Sequence, residues 1–423
     1  MNKIIVVLVA VIVIVAGASV AIFVLNGNDK KIEIPDVAEG TGTVYGNSDG
    51  NCYIDEVDVA IAESIIAGER TLADFPFADA DCSGSVTEKD VALIKDMVAK
   101  KDMKVKVLDT QGKVVNVQYP IKNLIVLCGS NLAPLMNILD VTDLMVGAAY
   151  STLDPIRDYP VDQAIANGSV TKISTNGTAA DMTLISRLNA DVMLTEYSSM
   201  YDLDSDTNIA ILNDYGIDVL CMECRDPGDD MRSLAVFGIL LDRGDNVVDY
   251  MDFCDQVYKE IEKIEGNSKG TTTVILSALA SSLTGITSGY NKMLEMAGGK
   301  NLADWTENSK SVAVGDTWIY ESKYASDCLL LGATSNYGGS GFTAASIASY
   351  EEKYKNHHAW TDGDVYIYST GIPVVIRVAY YAEAMYPELF EEGWAIKWHQ
   401  KLVDQYFGAD FTVPVDMFCK KIN

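Results

Sequence analysis

The sequence predicts an α/β protein: two lobes of alternating strands and helices joined by one long helix, preceded by a small all-α paired-loop module and an apolar amino-terminal helix. Three observations carry this reading. Residues 245–264 hold Val247, Met251, Cys254, Tyr258 and Ile261 at alternating steps of four and three, which places them on one helical face. On both sides of that stretch, short apolar runs alternate with helical runs. A chain of 423 residues also exceeds one ordinary core, so two or three domains are expected.

The long helix is bounded as residues 244–266. Asp245, Asp249, Asp252, Gln256, Lys259 and Lys263 occupy its polar face, Gly244-Asp245 offers an N-cap, and Gly266-Asn267 supplies the stop. It contains neither Pro nor Gly after its first turn, so nothing in it invites a kink.

Ahead of this core, Ile4 to Leu25 is an uncharged apolar run long enough to cross the roughly 30 Å of bilayer hydrocarbon. Residues 1–26 are expected to be an uncleaved transmembrane anchor, with the bulk of the chain extracytoplasmic. Residues 27–43 are polar, contain Pro35 and read as a linker. The charge balance, 32 basic against 60 acidic residues and net −28, excludes nucleic acid as a partner and suits cation binding. The eight cysteines are scattered, unlike a small disulfide scaffold. Cys221 and Cys224 form the close pair, read as a disulfide or two buried thiols because no second CxxC or neighbouring His completes a zinc set.

Two related segments follow the linker. The first places Asn47, Asp49, Asn51, Asp55 and Asp58 at positions 1, 3, 5, 9 and 12 of a loop, and the second places Asp79, Asp81, Ser83, Thr87 and Asp90 at the same positions. Calcium, a hard cation, takes about six to eight oxygens, and a loop of this length wraps them around the ion, with a backbone carbonyl from the seventh position, Tyr53 or Ser85. Each loop enters an amphipathic helix, residues 59–67 and 91–99. Two calcium ions are expected as cofactors.

Residues 44–101 thereby resemble a dockerin, the paired calcium-loop module that docks onto cohesin domains and ends each loop in Asp, as Asp58 and Asp90 do here. The second loop follows that pattern at every ligand position, with Gly84 at the sharp sixth. The first departs from it, with Asn47 at position 1 and Cys52 at position 6. Cohesin recognition in that family uses positions 10 and 11, here Glu56-Val57 and Glu88-Lys89, so the resemblance implies a cohesin-like partner. Cys52 and Cys82 are a candidate bridge if the two loops face each other.

The α/β texture begins after a hairpin with Gln111-Gly112 at its turn. An N-lobe, 104–243, is read as strands 124–128, 144–147, 171–174, 191–194 and 218–222 with helices 132–139, 182–188 and 207–215. A C-lobe, 267–423, is read as strands 273–278, 328–331 and 365–368 with helices 291–297, 345–355 and 374–385. Both lobes are expected to be Rossmann-like, with largely parallel sheets.

This order resembles the iron-complex and cobalamin substrate-binding proteins of ABC importers, the class whose lobes are joined by one helix. The stretches that carry the likeness are 122–127, 138–147, 185–194, 212–219, 293–302, 360–366 and 386–390, within about residues 104–410. The resemblance implies an ABC permease and ATPase as partners, supplied by other chains, and an iron chelate (siderophore or haem-like) or corrinoid as the transported ligand. In that family an acidic residue near the start of the first helix meets the permease; Pro134 stands there instead.

Ligands of open α/β lobes gather beyond the carboxyl ends of the strands. That rule nominates Ser130, Asn131, Tyr150, Tyr197 and Cys221 in the first lobe, and Thr284, Trp318, Tyr337 and Arg377 in the second. Aromatic faces with one Arg suit a bulky anionic chelate. Catalysis finds no support: the three histidines, His357, His358 and His399, fall late in the chain, and His357-His358 reads as a solvated helix end. The expected function is therefore solute binding by a non-enzyme. The rival is a cell-surface assembly protein in which the paired loops act and the lobes do not serve transport.

Overall fold

A computed structural model describes residues 42–128, 131–150, 154–173, 181–196, 206–264, 272–277, 282–302, 311–314, 317–322, 325–333, 337–339 and 341–423. The apolar run Ile4–Leu25 lies outside them. Among the described residues no helix is long and apolar enough to cross a membrane.

The chain divides into two compact units, with the boundary in the long helix at Asp252/Phe253. Two short stretches, Leu153–Asp162 and Arg225–Pro227, belong to the second unit although they precede that helix in sequence.

The first unit opens with β1 (Thr43–Val44), at the end of the segment expected to be linker. The paired loops then lead into α1 (Glu56–Ile66) and α2 (Glu88–Val98). Each helix begins with a capping box. The side chain at loop position 9, Asp55 or Thr87, caps the first turn, and the carboxylate at position 12, Asp58 or Asp90, returns to the cap's own N–H. Val59, Ile61, Ala62, Val91 and Ile94 bury one shared core between the two helices.

This module does not hang free. β1 pairs antiparallel with β2 (Met103–Leu108), which pairs with β3 (Val114–Tyr119) in the expected hairpin. The hairpin's turn is tied by Asp109, whose Oδ1 accepts from the N–H groups of Gln111 and Lys113, both at 2.8 Å.

Five parallel strands form the lobe itself: β4 (Leu124–Cys128), β5 (Met145–Tyr150), β6 (Thr171–Lys172), β7 (Val192–Glu196) and β8 (Asp218–Met222), in the order β6-β5-β4-β7-β8. Its helices are α3 (Leu132–Ile138), α4 (Tyr159–Asn167), α5 (Met182–Ile185), α6 (Asp206–Asp214) and α7 (Asp229–Leu240). Leu124–Leu127 of β4 and Val192–Leu194 of β7 are apolar and buried, as strands covered on both faces require, and β7 ends in buried Thr195 and Glu196. α4 begins within Leu153–Asp162; α4 and α7 were not foreseen.

The long helix, α8 (Gly244–Ile261), starts where expected. Its buried surface is wider than one stripe: Val248, Tyr250, Phe253 and Val257 join Val247, Met251, Cys254 and Ile261 in the interior. Tyr258 is only partly buried.

The second unit repeats the lobe. Its strands are β9 (Thr272–Ser277), β10 (Ser282–Thr284), β11 (Gly299–Asn301), β12 (Ser311–Ala313), β13 (Cys328–Ala333), β14 (Asp364–Ser369) and β15 (Cys419–Lys421). The main sheet runs β11-β9-β13-β14-β15, parallel except for β15, while β10 and β12 form a separate antiparallel pair. The helices Gly289–Met296, Ala344–Tyr354 and Val374–Met385 lie where the apolar pattern puts them, and Trp394–Tyr406 is an additional one.

Packing between α7 and α8 leaves no room for a side chain at Gly238, where an added Cβ would stand 2.4 Å from Val247 Cγ2. Gly238→Ala is expected to lower stability by about 1–3 kcal/mol through overpacking. Urea denaturation checks this, and Val247→Ala in the same chain should restore part of the loss.

Candidate functional site

The two loops repeat one hydrogen-bond plan. In the first, Asp58 is fully buried; its Oδ1 accepts from Asp49 N–H at 3.2 Å and its Oδ2 from Asp55 N–H at 2.8 Å. In the second, Asp90 is equally buried and accepts from Asp81 N–H at 3.1 Å and Thr87 N–H at 2.9 Å. The donors are positions 3 and 9 in both cases, so position 12 holds each loop in a ring before any ion is considered.

Within the second loop, Asp79, Asp81 and Asp90 each bring a carboxylate oxygen within 4.8 Å of the others. Asp79 accepts from Ser83 N–H at 2.9 Å and Gly84 N–H at 2.6 Å, which draws the loop tight around it. Gly84 has φ +93°, the left-handed conformation a sharp sixth position needs, with open space where a Cβ would be. Ser83 Oγ donates to the Ser85 carbonyl at 3.1 Å. Lys89 lies 2.6 Å from Asp81 Oδ2, and together with Ser83 it holds the Asp81 carboxyl down at about 2.

The first loop carries as many acidic residues as the second, but Asn47 replaces the carboxylate at position 1 and gives a different signal. Asn47, 2% exposed, donates through Nδ2 to the Asn51 carbonyl at 2.7 Å, while its Oδ1 has no hydrogen-bond partner. Asn51 Nδ2 donates to Asp49 Oδ2 at 2.8 Å, and Asn51 Oδ1 accepts from Tyr53 N–H at 2.7 Å. Burial, and then the charge of Asp49, push the Asp58 carboxyl up to about 7. An orphaned buried amide oxygen beside two mutually repelling carboxylates is the donor set that a hard cation satisfies. The residues present in both loops fit calcium; Asn47, Asp49, Asn51 and Asp58 would hold it in the first, with the Tyr53 carbonyl.

Cys52 and Cys82 are free thiols. The first is fully buried and the second exposed, beside Tyr45. Cys221 and Cys224 form no disulfide, and the latter is buried with its thiol 3.7 Å from the Met222 carbonyl.

In the first lobe the strand order reverses between β4 and β7, which makes the carboxyl ends of those strands the switch point where a ligand crevice forms. Asn131 follows β4 at the head of α3, and buried Glu196 closes β7. Tyr150 ends β5 and half-buried Cys221 lies near the end of β8. Ser130 and Tyr197 lie outside the described residues. Pro134 is buried, as is every residue of α3, so no side chain there faces solvent.

The reversal in the second lobe falls between β9 and β13. Thr284 is buried in β10, and its carbonyl accepts at 2.8 Å from Nδ2 of Asn301, the last residue of β11. Trp318 is 3% exposed and packs with Leu283, Leu329 and Tyr354 in the core, which gives it no ligand-facing surface. Arg377, also 3% exposed, lies over the Tyr290 ring at 5.6 Å. Tyr368 and Tyr381 pack edge to face at 4.9 Å; burial raises both phenols, and the Arg377 guanidinium works against that rise.

Tyr337, 2% exposed, belongs to a buried polar chain that pattern reading missed. Its hydroxyl meets His399 Nε2 at 2.7 Å, and the Tyr380 hydroxyl meets Nδ1 at 3.0 Å. Burial pushes His399 down to about 3, so the ring is neutral, with one nitrogen donating and the other accepting. Arg157 makes a two-pronged pair with Asp158 at 2.8 and 2.7 Å, and Asp154 Oδ2 accepts from Gly338 N–H at 3.2 Å. His357 corrects the expectation of a solvated helix end: it is 1% exposed and its Nδ1 caps the helix His358–Asp362 through Ala359 N–H.

No protein-family model matches the chain, and no curated protein matches it. Solved structures do. A TroA-like periplasmic binding protein, FepB of Veillonella parvula, aligns with TM-score 0.55 at 16% identity over 75% of this chain and 99% of its own. CeuE of Helicobacter pylori, as its nickel–histidine complex, aligns with TM-score 0.52 at 13% identity over 73% and 97%. MolA of Haemophilus influenzae, a molybdate periplasmic binding protein, aligns with TM-score 0.55 at 12% identity over 72% and 98%. The likeness is one of fold: two α/β lobes of the periplasmic binding-protein kind.

Because His399 is neutral when folded and has an ordinary value of 6.5, the unfolded chain binds a proton there that the native chain does not. Its contribution is complete above pH 6.5 and is lost as pH falls toward about 3. His399→Gln, which cannot titrate, should show a shallower loss of stability across that window in denaturation midpoints measured against pH.

Proposed function

We propose that the lobes bind a solute for an ABC importer, and that the solute is an iron chelate or a corrinoid. The observation that carries this reading is the pair of lobes themselves, each with a strand-order reversal, in the fold of binding proteins whose ligands include molybdate and a nickel–histidine complex. The apolar run Ile4–Leu25 would tether the chain with its bulk extracytoplasmic, and permease and ATPase would be separate chains.

In the same reading, the paired loops hold two calcium ions, supported by the three convergent carboxylates of the second loop and the orphaned Asn47 oxygen of the first. Glu56, Val57, Glu88 and Lys89 are all exposed, Val57 at 42%, which keeps the dockerin-like positions open to a cohesin-like protein. A second reading, surface assembly without transport, is favoured by the buried, acid-free α3, which offers no acidic residue for a permease.

Native mass spectrometry of the protein isolated from its own cells separates the two readings. A retained chelate or corrinoid supports transport; a retained protein partner with empty lobes supports assembly and overturns the first reading. Calorimetric titration should register two calcium ions, with affinities on the order of 10⁻⁴–10⁻³ M as for extracellular modules. Asp79→Ala combined with Asp90→Ala should leave one.

A further inference from the structure

The first loop departs from the second at position 6, and the structure shows what the departure serves. Where the second loop has Gly84 facing open space, the first has Cys52, fully buried with its Sγ 4.0 Å from Met251 Sδ in α8. The next residue, Tyr53, donates its hydroxyl to Asp245 Oδ1 at 2.7 Å. The ring of Tyr53 and the carbonyl of Cys52 press so closely on Gly244 that an added Cβ there would stand 2.5 Å from Tyr53 Cε1 and 2.7 Å from Cys52 O. The loop is thus seated on the first turns of the helix that leads from one unit into the other.

Tyr53 is also position 7, whose backbone carbonyl faces the ion in a calcium loop of this length. One residue would therefore serve a cation through its main chain while it holds the helix through its side chain. Asn47, with its unpartnered and buried Oδ1, supplies the independent sign that this loop takes a ligand.

We propose that divalent-cation occupancy of the first loop is coupled to the start of α8. Ordering Cys52 and Tyr53 around the ion secures Gly244, Asp245 and Met251, and by linkage a weakened helix contact lowers the affinity of that loop alone. The proposal rests on the calcium reading of the loops and adds a role to it: the first loop is a metal-dependent brace of the lobe, while the second, with Gly84 in open space, makes no such side-chain contact at its sixth position.

The test uses the full chain with calcium alone as probe, combining calorimetry with hydrogen exchange read by mass spectrometry. Calcium should slow exchange in residues 245–252 by roughly fivefold or more, the lower end of usual coupling between linked sites. Asp49→Ala should abolish that response, and Asp79→Ala should leave it intact. Tyr53→Phe should keep calcium-dependent protection in residues 47–58 while shrinking the helix response and weakening one of the two calorimetric sites. Protection of the loop without any change in the helix, or a helix response that survives Asp49→Ala, overturns the coupling and leaves the calcium reading standing. No calcium uptake in calorimetry removes both.

Discussion

The broad apolar surface of α8 has to be kept from water, and much of the architecture follows from that. Val247, Met251, Cys254 and Ile261 would be covered by any single sheet, but Val248, Tyr250, Phe253 and Val257 are also buried, farther round the same helix. Each fully buried aliphatic or aromatic side chain is worth about 1.5–3 kcal/mol, so a helix buried this widely contributes more than propensity does. Its amino-terminal half is packed by α7 through Gly238 and by the first of the paired loops through Cys52. Its carboxyl-terminal half is packed in the second unit, where Phe253 meets Trp398 and Tyr406 edge to face and Trp394 donates to Glu260.

The same economy governs the paired loops. A carboxylate buried at position 12 is tolerable because backbone N–H groups of its own loop hydrogen-bond to it, three at Asp58 and two at Asp90, and because it simultaneously completes the cap of the following helix. Those bonds shape the loop, and in the second one carboxylate oxygens of Asp79, Asp81 and Asp90 come within 4.8 Å of one another. The second loop keeps its charge and an exposed lysine over Asp81; the first exchanges a carboxylate for Asn47 and a glycine for Cys52, and becomes part of the lobe. A module that resembles a detachable docking unit is, in this chain, bound to the lobe by a strand, β1, and by the helix it supports.

The second lobe answers burial of charge differently. Arg157 and Asp158 satisfy one another in a two-pronged pair, and His399 remains neutral between two tyrosines. These groups lie on segments distant in sequence: the turn at Asp154–Asp158, the residues around Tyr337, and two late helices. They order the lobe's interior and bury Tyr337 within it.

How far the chain could be read in advance follows from the range of each interaction. Alternating apolar runs, the three-four spacing of α8 and the capping positions that start α1 and α2 are local patterns, because helix and strand periods and helix caps are set by neighbours along the chain; these were legible, as were most strand and helix positions. The burial of Trp318, Thr284 and Tyr337, the capping role of His357, the unforeseen α4 and α7, and the placing of Leu153–Asp162 in the second unit were not. Whether an aromatic side chain lines a surface or fills a core depends on which distant segment packs over it. The sequence by itself determined the alternation of elements and the chemistry available in the two loops, since both depend on residue type at short spacing. Only the tertiary structure decided that Cys52 and Tyr53 meet α8, because residues nearly two hundred positions apart come together through the packing of the whole lobe.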